Sequence, residues 1–284
     1  MERADRPIVP NRSIVSNRSV GKVDVDRPSS ARIYDYFLGG AHNFEVDREA
    51  AQALQRAHPA IGLGMRANRS YLRRAVTYLT SQGIDQFLDL GSGIPTVGNV
   101  HEIAQRTNPD AHVVYVDLEP IAVTHSNTIL AGNDKATAIH ADLRRPDEVL
   151  EHPDTKAMLD LERPIALIAA GVLQYIPDAD DPAGIVAGYT ERLAAGSYLA
   201  MSHPSQDDLT SERRAGTAAV GTVYNRTDTP FTYRTKAQFE ALFAGLALVE
   251  PGVVHMWSWH AESDTEEDEL GGRLTGFAGV ARVP

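Results

Sequence analysis

The chain has 284 residues, a hydrophobic fraction of 43%, a charged fraction of 23% and a formal net charge of −11. That is the balance of a globular protein long enough to bury a sizeable core. It contains no cysteine, which excludes disulfides, thiolate metal sites and a cysteine nucleophile together. No apolar run approaches the roughly 18 residues of a membrane span, and the negative charge works against a nucleic-acid backbone as the main partner.

Residues 1–28 are polar, rich in Arg, Ser and Asn, and read as a flexible leader without the apolar stretch of an export signal, so a cytoplasmic protein is expected. From Ser29 the chain changes character. A helix is predicted over 32–37, capped by Ser29 or Ser30 and stopped by Gly39-Gly40. Further helices are predicted over 46–58 and 65–80, the last carrying Leu72, Val76 and Leu79 on one face and Arg69 and Arg73 on another.

Short apolar runs then alternate with helical stretches. Strands are predicted at 86–90, 112–116, 136–140, 164–170 and 197–202, with helices at 97–107, 121–130 and 184–193. This alternation means βαβ units and a mainly parallel sheet. The end of the chain departs from it: a helix over 236–243, an extended run over 246–259 broken by Pro251-Gly252, an acidic stretch over 262–269 and a strand over 274–283. Two strands in succession without a crossover helix pair antiparallel. The expected fold is α/β, a seven-stranded, mostly parallel sheet with one antiparallel strand near the C-terminus. Residues 29–80 form an N-terminal helical extension to a core over 81–284.

The motif Phe87-Leu88-Asp89-Leu90-Gly91-Ser92-Gly93 runs a strand into a glycine-rich turn that opens on a helix. Glycines there let backbone approach a ligand closely. A dinucleotide fingerprint wants a third glycine, and Thr96 stands in its place. Asp117 ends the next strand, where an acid accepts hydrogen bonds from both hydroxyls of a ribose. Asp142 ends the following one, with Leu143 beside it, an arrangement that suits an adenine amino group and ring. Each acid alone reads more readily as a helix cap; together, at consecutive strand ends, they read as an adenosine site.

These residues resemble a family. The stretches 87–95, 114–120, Ala141-Asp142-Leu143 and 172–182 are similar to the class I S-adenosylmethionine-dependent methyltransferases, with their Rossmann-like fold. The segment 31–44, with its Tyr34-Asp35-Tyr36-Phe37-Leu38-Gly39-Gly40 core, resembles more closely the actinobacterial S-adenosyl methyltransferase family that long carried a domain-of-unknown-function label. Stretches 68–74, 98–102 and 178–185 extend the likeness to nearly all the chain beyond the leader. The resemblance implies S-adenosylmethionine as cofactor and a methyltransferase acting on an unidentified acceptor, expected to be a small molecule rather than nucleic acid or membrane. In this fold class the N-terminal helices commonly cover the cofactor.

Arg32 or Arg73 is then a candidate for the methionine carboxylate, with Tyr34, Gly40 and Asn43 as further contacts. Asp89, Gly91, Ser92, Gly93, Asp117, Leu118, Asp142, Leu143, Gly171 and Val172 complete the expected cofactor site. Tyr175 offers its π face to a sulfonium. His203 is a candidate general base, against the competing reading of a structural loop histidine. Residues 205–234, with Arg213, Arg214, Tyr224, Arg226, Phe231 and Tyr233, are the candidate cap over the acceptor. Trp257 and Trp259 alternate and are expected on one strand face, as core or rim. The histidines lack ligand spacing, so no metal site is expected. An NAD(P)-binding oxidoreductase, or a protein that binds S-adenosylmethionine without transferring its methyl group, are the alternatives. Oligomeric state is not legible.

Overall fold

The computed structural model of the chain describes residues 25–94, 98–224, 227, 230–261 and 275–284. The leader up to residue 24, Pro95, Thr96, Arg226, the side chain of Arg213 and the acidic stretch 262–269 lie outside the described residues.

Three helices come first: α1 (Ser30–Phe37), α2 (Glu45–Ala57) and α3 (Ile61–Ser81). Gly39 adopts φ +79°, a left-handed conformation that ends α1 without the strain a side chain would bring. The alternating part of the chain follows as β1 (Gln86–Leu90), α4 (Val100–Thr107), β2 (His112–Asp117), α5 (Pro120–Ile129), β3 (Ala136–His140), α6 (Pro146–Leu150), α7 (Pro153–Met158), β4 (Ala166–Ala170), α8 (Pro182–Thr190) and β5 (Tyr198–Ser205). The remainder is α9 (Ser211–Tyr224), α10 (Lys236–Ala241), β6 (Ala247–Leu248), β7 (Val254–His255) and β8 (Thr275–Arg282).

The sheet runs β3-β2-β1-β4-β5-β8-β6, with β7 also paired to β8. Strands β1 to β5 are parallel, and β8 is antiparallel to β5, β6 and β7. Seven positions in the sheet are therefore filled by eight strands. The run expected over 246–259 keeps only two short pairings on β8, because Pro251 has no N–H to donate and Gly252, at φ +80°, turns the chain out of the edge. Trp257 and Trp259 accordingly do not share a strand face. They lie in a turn after β7, held by Arg74, whose Nε donates to the Trp259 carbonyl at 2.8 Å and Nη2 to the Met256 carbonyl at 2.7 Å. Helix α4 starts three residues later than expected, where Asn99 and Glu102 form a capping box. Helices α6 and α7 are too short to register a period and begin on prolines.

The pleat sorts side chains into two cores. Phe87, Val113, Tyr115 and Ile168 face α3 and α4, while Leu88, Val114, Leu167 and Leu199 face α8 and α10. A third cluster joins Ile33, Leu54 and Met65 of the first helices to Val220 and Tyr224 of α9. Among the described residues, no helix is long and apolar enough to cross a membrane.

Candidate functional site

Strand β1 lies between β2 and β4, the point at which the strand order reverses. Connections leaving these carboxyl ends diverge to opposite faces, and a crevice opens between them. It is a cleft of about 1600 Å³ including its open mouth, floored by Gly91, Ser92 and Gly93 and walled by the ends of β2, β3 and β4. Gly91 has φ +63°, and a Cβ there would stand 2.1 Å from Cγ2 of Val172. Only glycine satisfies both the conformation and the close approach.

Of the acids that line this cleft, Asp89, Asp117 and Asp142 come from within or just beyond three adjacent strands, β1, β2 and β3. Asp89 is buried within β1, and burial raises its carboxyl to about 7, with Arg69 opposing the rise and Asp117 adding to it. Asp117 is half-buried. Its Oδ2 accepts from the Gly93 N–H at 2.7 Å and its Oδ1 from the Glu119 N–H at 2.8 Å. Desolvation nevertheless raises it to about 6. Asp142 behaves differently. Burial pushes its carboxyl up, but the guanidinium of Arg144, 2.6 Å away, outweighs this and holds it below the usual range. Arg144 also reaches Asp180 at 3.3 Å. Leu118, Leu143, Gly171, Val172 and Tyr34 line the same cleft.

Four of the expected contacts do not line it. Arg32 is buried, with Nε 2.7 Å from Asp47 Oδ2 and Nη1 3.1 Å from Glu119 Oε1. Its guanidinium is engaged by these two carboxylates and by the Arg27 carbonyl, and it does not line the cleft. The polar groups around Gly39-Gly40 close on Asp35 instead: Asn43 Nδ2 donates to Asp35 Oδ2 at 2.9 Å, as does the His42 N–H at 2.9 Å. A Cβ on Gly40 would meet Asp35 Oδ1 at 1.9 Å, so this glycine makes room for that carboxylate. Arg73 stands one turn beyond Arg69 on α3, and it is Arg69 that lines the cleft, beside Asn68 and Leu72. In the sequence Arg69 shares the polar face of the predicted helix with Arg73, and no local signal marks it as the one that faces the cleft. What separates it from Arg73 is helix phase against the sheet.

Adjoining the cleft is a second, more apolar space, the inner cavity, of about 730 Å³ including its open mouth. Tyr34, Asn68, Gly171 and Tyr175 line both, so the two spaces meet at these residues. Asn68 ties the junction together: its Nδ2 donates to the Tyr34 hydroxyl at 3.1 Å, and its Oδ1 accepts from Ser202. The Tyr175 ring sits 5.6 Å from that of Tyr224 and 5.8 Å from that of Phe231, and burial raises its hydroxyl to about 12. Val220 and Tyr224 of α9, with Phe231 and Tyr233, close one side.

His203 lines the inner cavity but is not placed to act as a base. Its Nδ1 lies 2.8 Å from the Pro204 carbonyl and its Nε2 2.8 Å from Arg234 Nη1. Since the guanidinium can only donate, Nε2 is the acceptor and Nδ1 carries the proton. Burial lowers the ring to about 4. A neutral imidazole with its lone pair engaged by Arg234 is a structural histidine. Among the described residues, no group of three or more His, Asp or Glu side chains is arranged to hold a metal ion.

A family model described as S-adenosyl methyltransferase matches residues 16–284. The chain is similar to a solved DUF574-family protein from Streptomyces avermitilis MA-4680, with a TM-score of 0.87 and 39% identity over 93% of this chain and 100% of that one. It is similar also to a candidate methyltransferase from Thermobifida fusca YX, with a TM-score of 0.84 and 38% identity over 91% of this chain and 97% of that one. No curated protein matches it.

Proposed function

Because this chain belongs to the S-adenosyl methyltransferase family and is an S-adenosylmethionine-dependent methyltransferase, we propose that the open cleft holds the cofactor and the inner cavity a small-molecule acceptor. The observation that carries this reading is the row of Asp89, Asp117 and Asp142 within or just beyond adjacent strands along one glycine-floored cleft. An acid beside Arg69 suits the zwitterionic amino-acid end, which brings both an ammonium and a carboxylate. Asp117 suits the two ribose hydroxyls, since each of its oxygens keeps a lone pair after accepting one backbone N–H. Asp142, with Leu118 and Leu143, suits the adenine, Arg144 sharing the carboxylate. The fit of Gly91 against Val172 leaves the backbone free to approach the ligand. With this family assignment the NAD(P) alternative falls away.

When bound, S-adenosylmethionine supplies a methyl carbon to an acceptor lone pair while the carbon–sulfur bond breaks toward sulfur, any proton on the acceptor passing to water. The protein's own part is positional. Tyr175 stands where the two spaces meet and keeps its proton, so its ring rather than a phenolate faces the reacting centre. His203 has no lone pair to offer, so the acceptor must be nucleophilic in the protonation state in which it binds. A largely apolar cavity of about 730 Å³ including its open mouth and a net charge of −11 favour a small molecule over nucleic acid. Titration calorimetry with S-adenosylmethionine, S-adenosylhomocysteine and NAD tests the assignment of the cleft. The first two are expected to bind and NAD not; binding of NAD alone overturns it.

A further inference from the structure

Arg234 ends a stretch that borders both spaces. Pro230 lines the cleft, and Phe231 and Tyr233 line the inner cavity. Arg234 itself lines neither. Its side chain is 3% exposed, and each of the five N–H donors of its guanidinium has a partner. Nε and Nη2 both donate to Asp178 Oδ1, at 3.1 and 2.7 Å. Nη2 donates also to the Ile176 carbonyl at 2.8 Å. Nη1 donates to the Leu173 carbonyl at 2.9 Å and to His203 Nε2 at 2.8 Å.

Four of these five bonds fall on one loop, the connection that leaves β4 and runs from Val172 to Asp178. Val172, Ile176 and Pro177 of this loop line the cleft, Gln174 lines the inner cavity, and Tyr175 lines both. The gripped carbonyls of Leu173 and Ile176 stand on either side of Tyr175, and the Thr232 N–H holds the Gln174 carbonyl between them at 2.8 Å. A guanidinium is a rigid planar fork, so the groups bonded to one fork are fixed relative to one another. An ammonium, a point charge with three donors, does not reproduce this. A buried ion pair adds little stability over apolar packing of the same volume, so what the fork contributes above all is geometry. Geometry decides a transfer step, where a misplacement of about 1 Å costs on the order of a hundredfold in rate.

We propose that Arg234 is a positioning residue for methyl transfer, one that touches neither ligand and holds the Tyr175 ring against the sulfonium where the two spaces meet. This rests on the reading of the open cleft as the cofactor site. The competing role is support of the fold alone, in which the loop carries no contact that tells a cationic sulfur from a neutral one.

The test is calorimetry on the full chain with S-adenosylmethionine, whose sulfur is cationic, and S-adenosylhomocysteine, whose sulfur is neutral. A ring face attracts the cation alone, so the ratio of the two affinities reports the Tyr175 contact, whereas a general loosening of the fold weakens both ligands alike. Tyr175→Leu is expected to lower the ratio of S-adenosylmethionine to S-adenosylhomocysteine affinity about fivefold, the worth of one cation–π contact. Arg234→Gln, with its fold checked by circular dichroism, is expected to lower it by a comparable factor from outside both spaces. The double variant is expected to lower it no further than either change alone, and Arg234→Lys not to restore it. Asp178→Ala, at a side chain 67% exposed, removes the acceptor of two of the five bonds and is expected to shift the ratio the same way, which keeps the test open where Arg234→Gln does not fold. A ratio unchanged in Tyr175→Leu overturns the inference. So does one unchanged in the folded Arg234 or Asp178 variants, full restoration by lysine, or a fully additive loss in the double variant. If neither ligand binds the unaltered protein, it is the reading of the cleft that has failed.

Discussion

Burial raises Asp89 to about 7 and Asp117 to about 6, so the ligand-free cleft takes up protons at pH values where ordinary carboxylates are ionised. A cofactor that presents an ammonium to one and hydroxyls to the other favours the ionised forms, so binding releases protons. Affinity for S-adenosylhomocysteine is therefore expected to rise with pH through the range of about 5 to 8 and to level off above it. Calorimetry in buffers of different ionisation enthalpy counts the protons released. The sign for stability is opposite. Both folded-state values lie above the ordinary carboxylate value of 3.8, so the ligand-free fold binds more protons than the unfolded chain and loses stability as pH rises through this window. Asp117→Ala is expected to weaken S-adenosylmethionine binding by about 1.5–3 kcal/mol, the range of hydrogen bonds to charged groups, with the fold intact. Unchanged affinity removes Asp117 from the ribose. His203→Ala belongs to stability: leaving Arg234 Nη1 without this acceptor costs about 1–3 kcal/mol in denaturant unfolding, and no step near the histidine pKa disappears from a pH–rate profile.

At the scale of the element, α1 is fastened from two sides. Asp47 accepts from Arg32 Nε, from the Ser29 N–H at 2.9 Å and from the Phe44 N–H at 2.8 Å, which joins α1 to α2. Arg32 also reaches Glu119, beside the Asp117 loop. Asp47→Ala leaves a buried guanidinium short of its main partner and is expected to cost about 3–5 kcal/mol, read from denaturant unfolding. Ser30, Ala31 and Tyr34 line the cleft, so removing residues 1–44 is expected to abolish S-adenosylhomocysteine binding while removing 1–25 is not. Hydrogen exchange with and without the ligand separates contact from mere support. Protection gained at 30–34 together with 91–93 supports contact, and protection at 91–93 alone makes α1 a structural helix.

At the scale of the molecule, the strand ends were legible because a parallel strand buried on both faces reads as a short apolar run, and the residue at which apolarity stops is the residue at the rim. Phe87–Gly93, Asp117 and Asp142 fall at such ends in the sequence, and the fold carries them to adjacent edges of one cleft. The antiparallel β8 was legible for a topological reason, the missing crossover helix before it. What the sequence does not carry is the partner of a polar group. Arg32, Asn43 and Gly40 look like a ligand site along the chain, yet the carboxylates that satisfy them are Asp47, Glu119 and Asp35, at separations from 5 to 87 residues. Arg69 and Arg73 differ only by the phase at which α3 meets the sheet. His203 resembles a base until Arg234, 31 residues later, is brought against its Nε2. The inner cavity exists only once α9, the turn held by Arg74 and the end of β5 converge behind Tyr175. By itself the sequence determined the local order of strand, glycine and acid, which follows from hydrophobic period and backbone sterics. The tertiary structure decided which charges are spent on one another, because that depends on contacts between residues far apart in the chain.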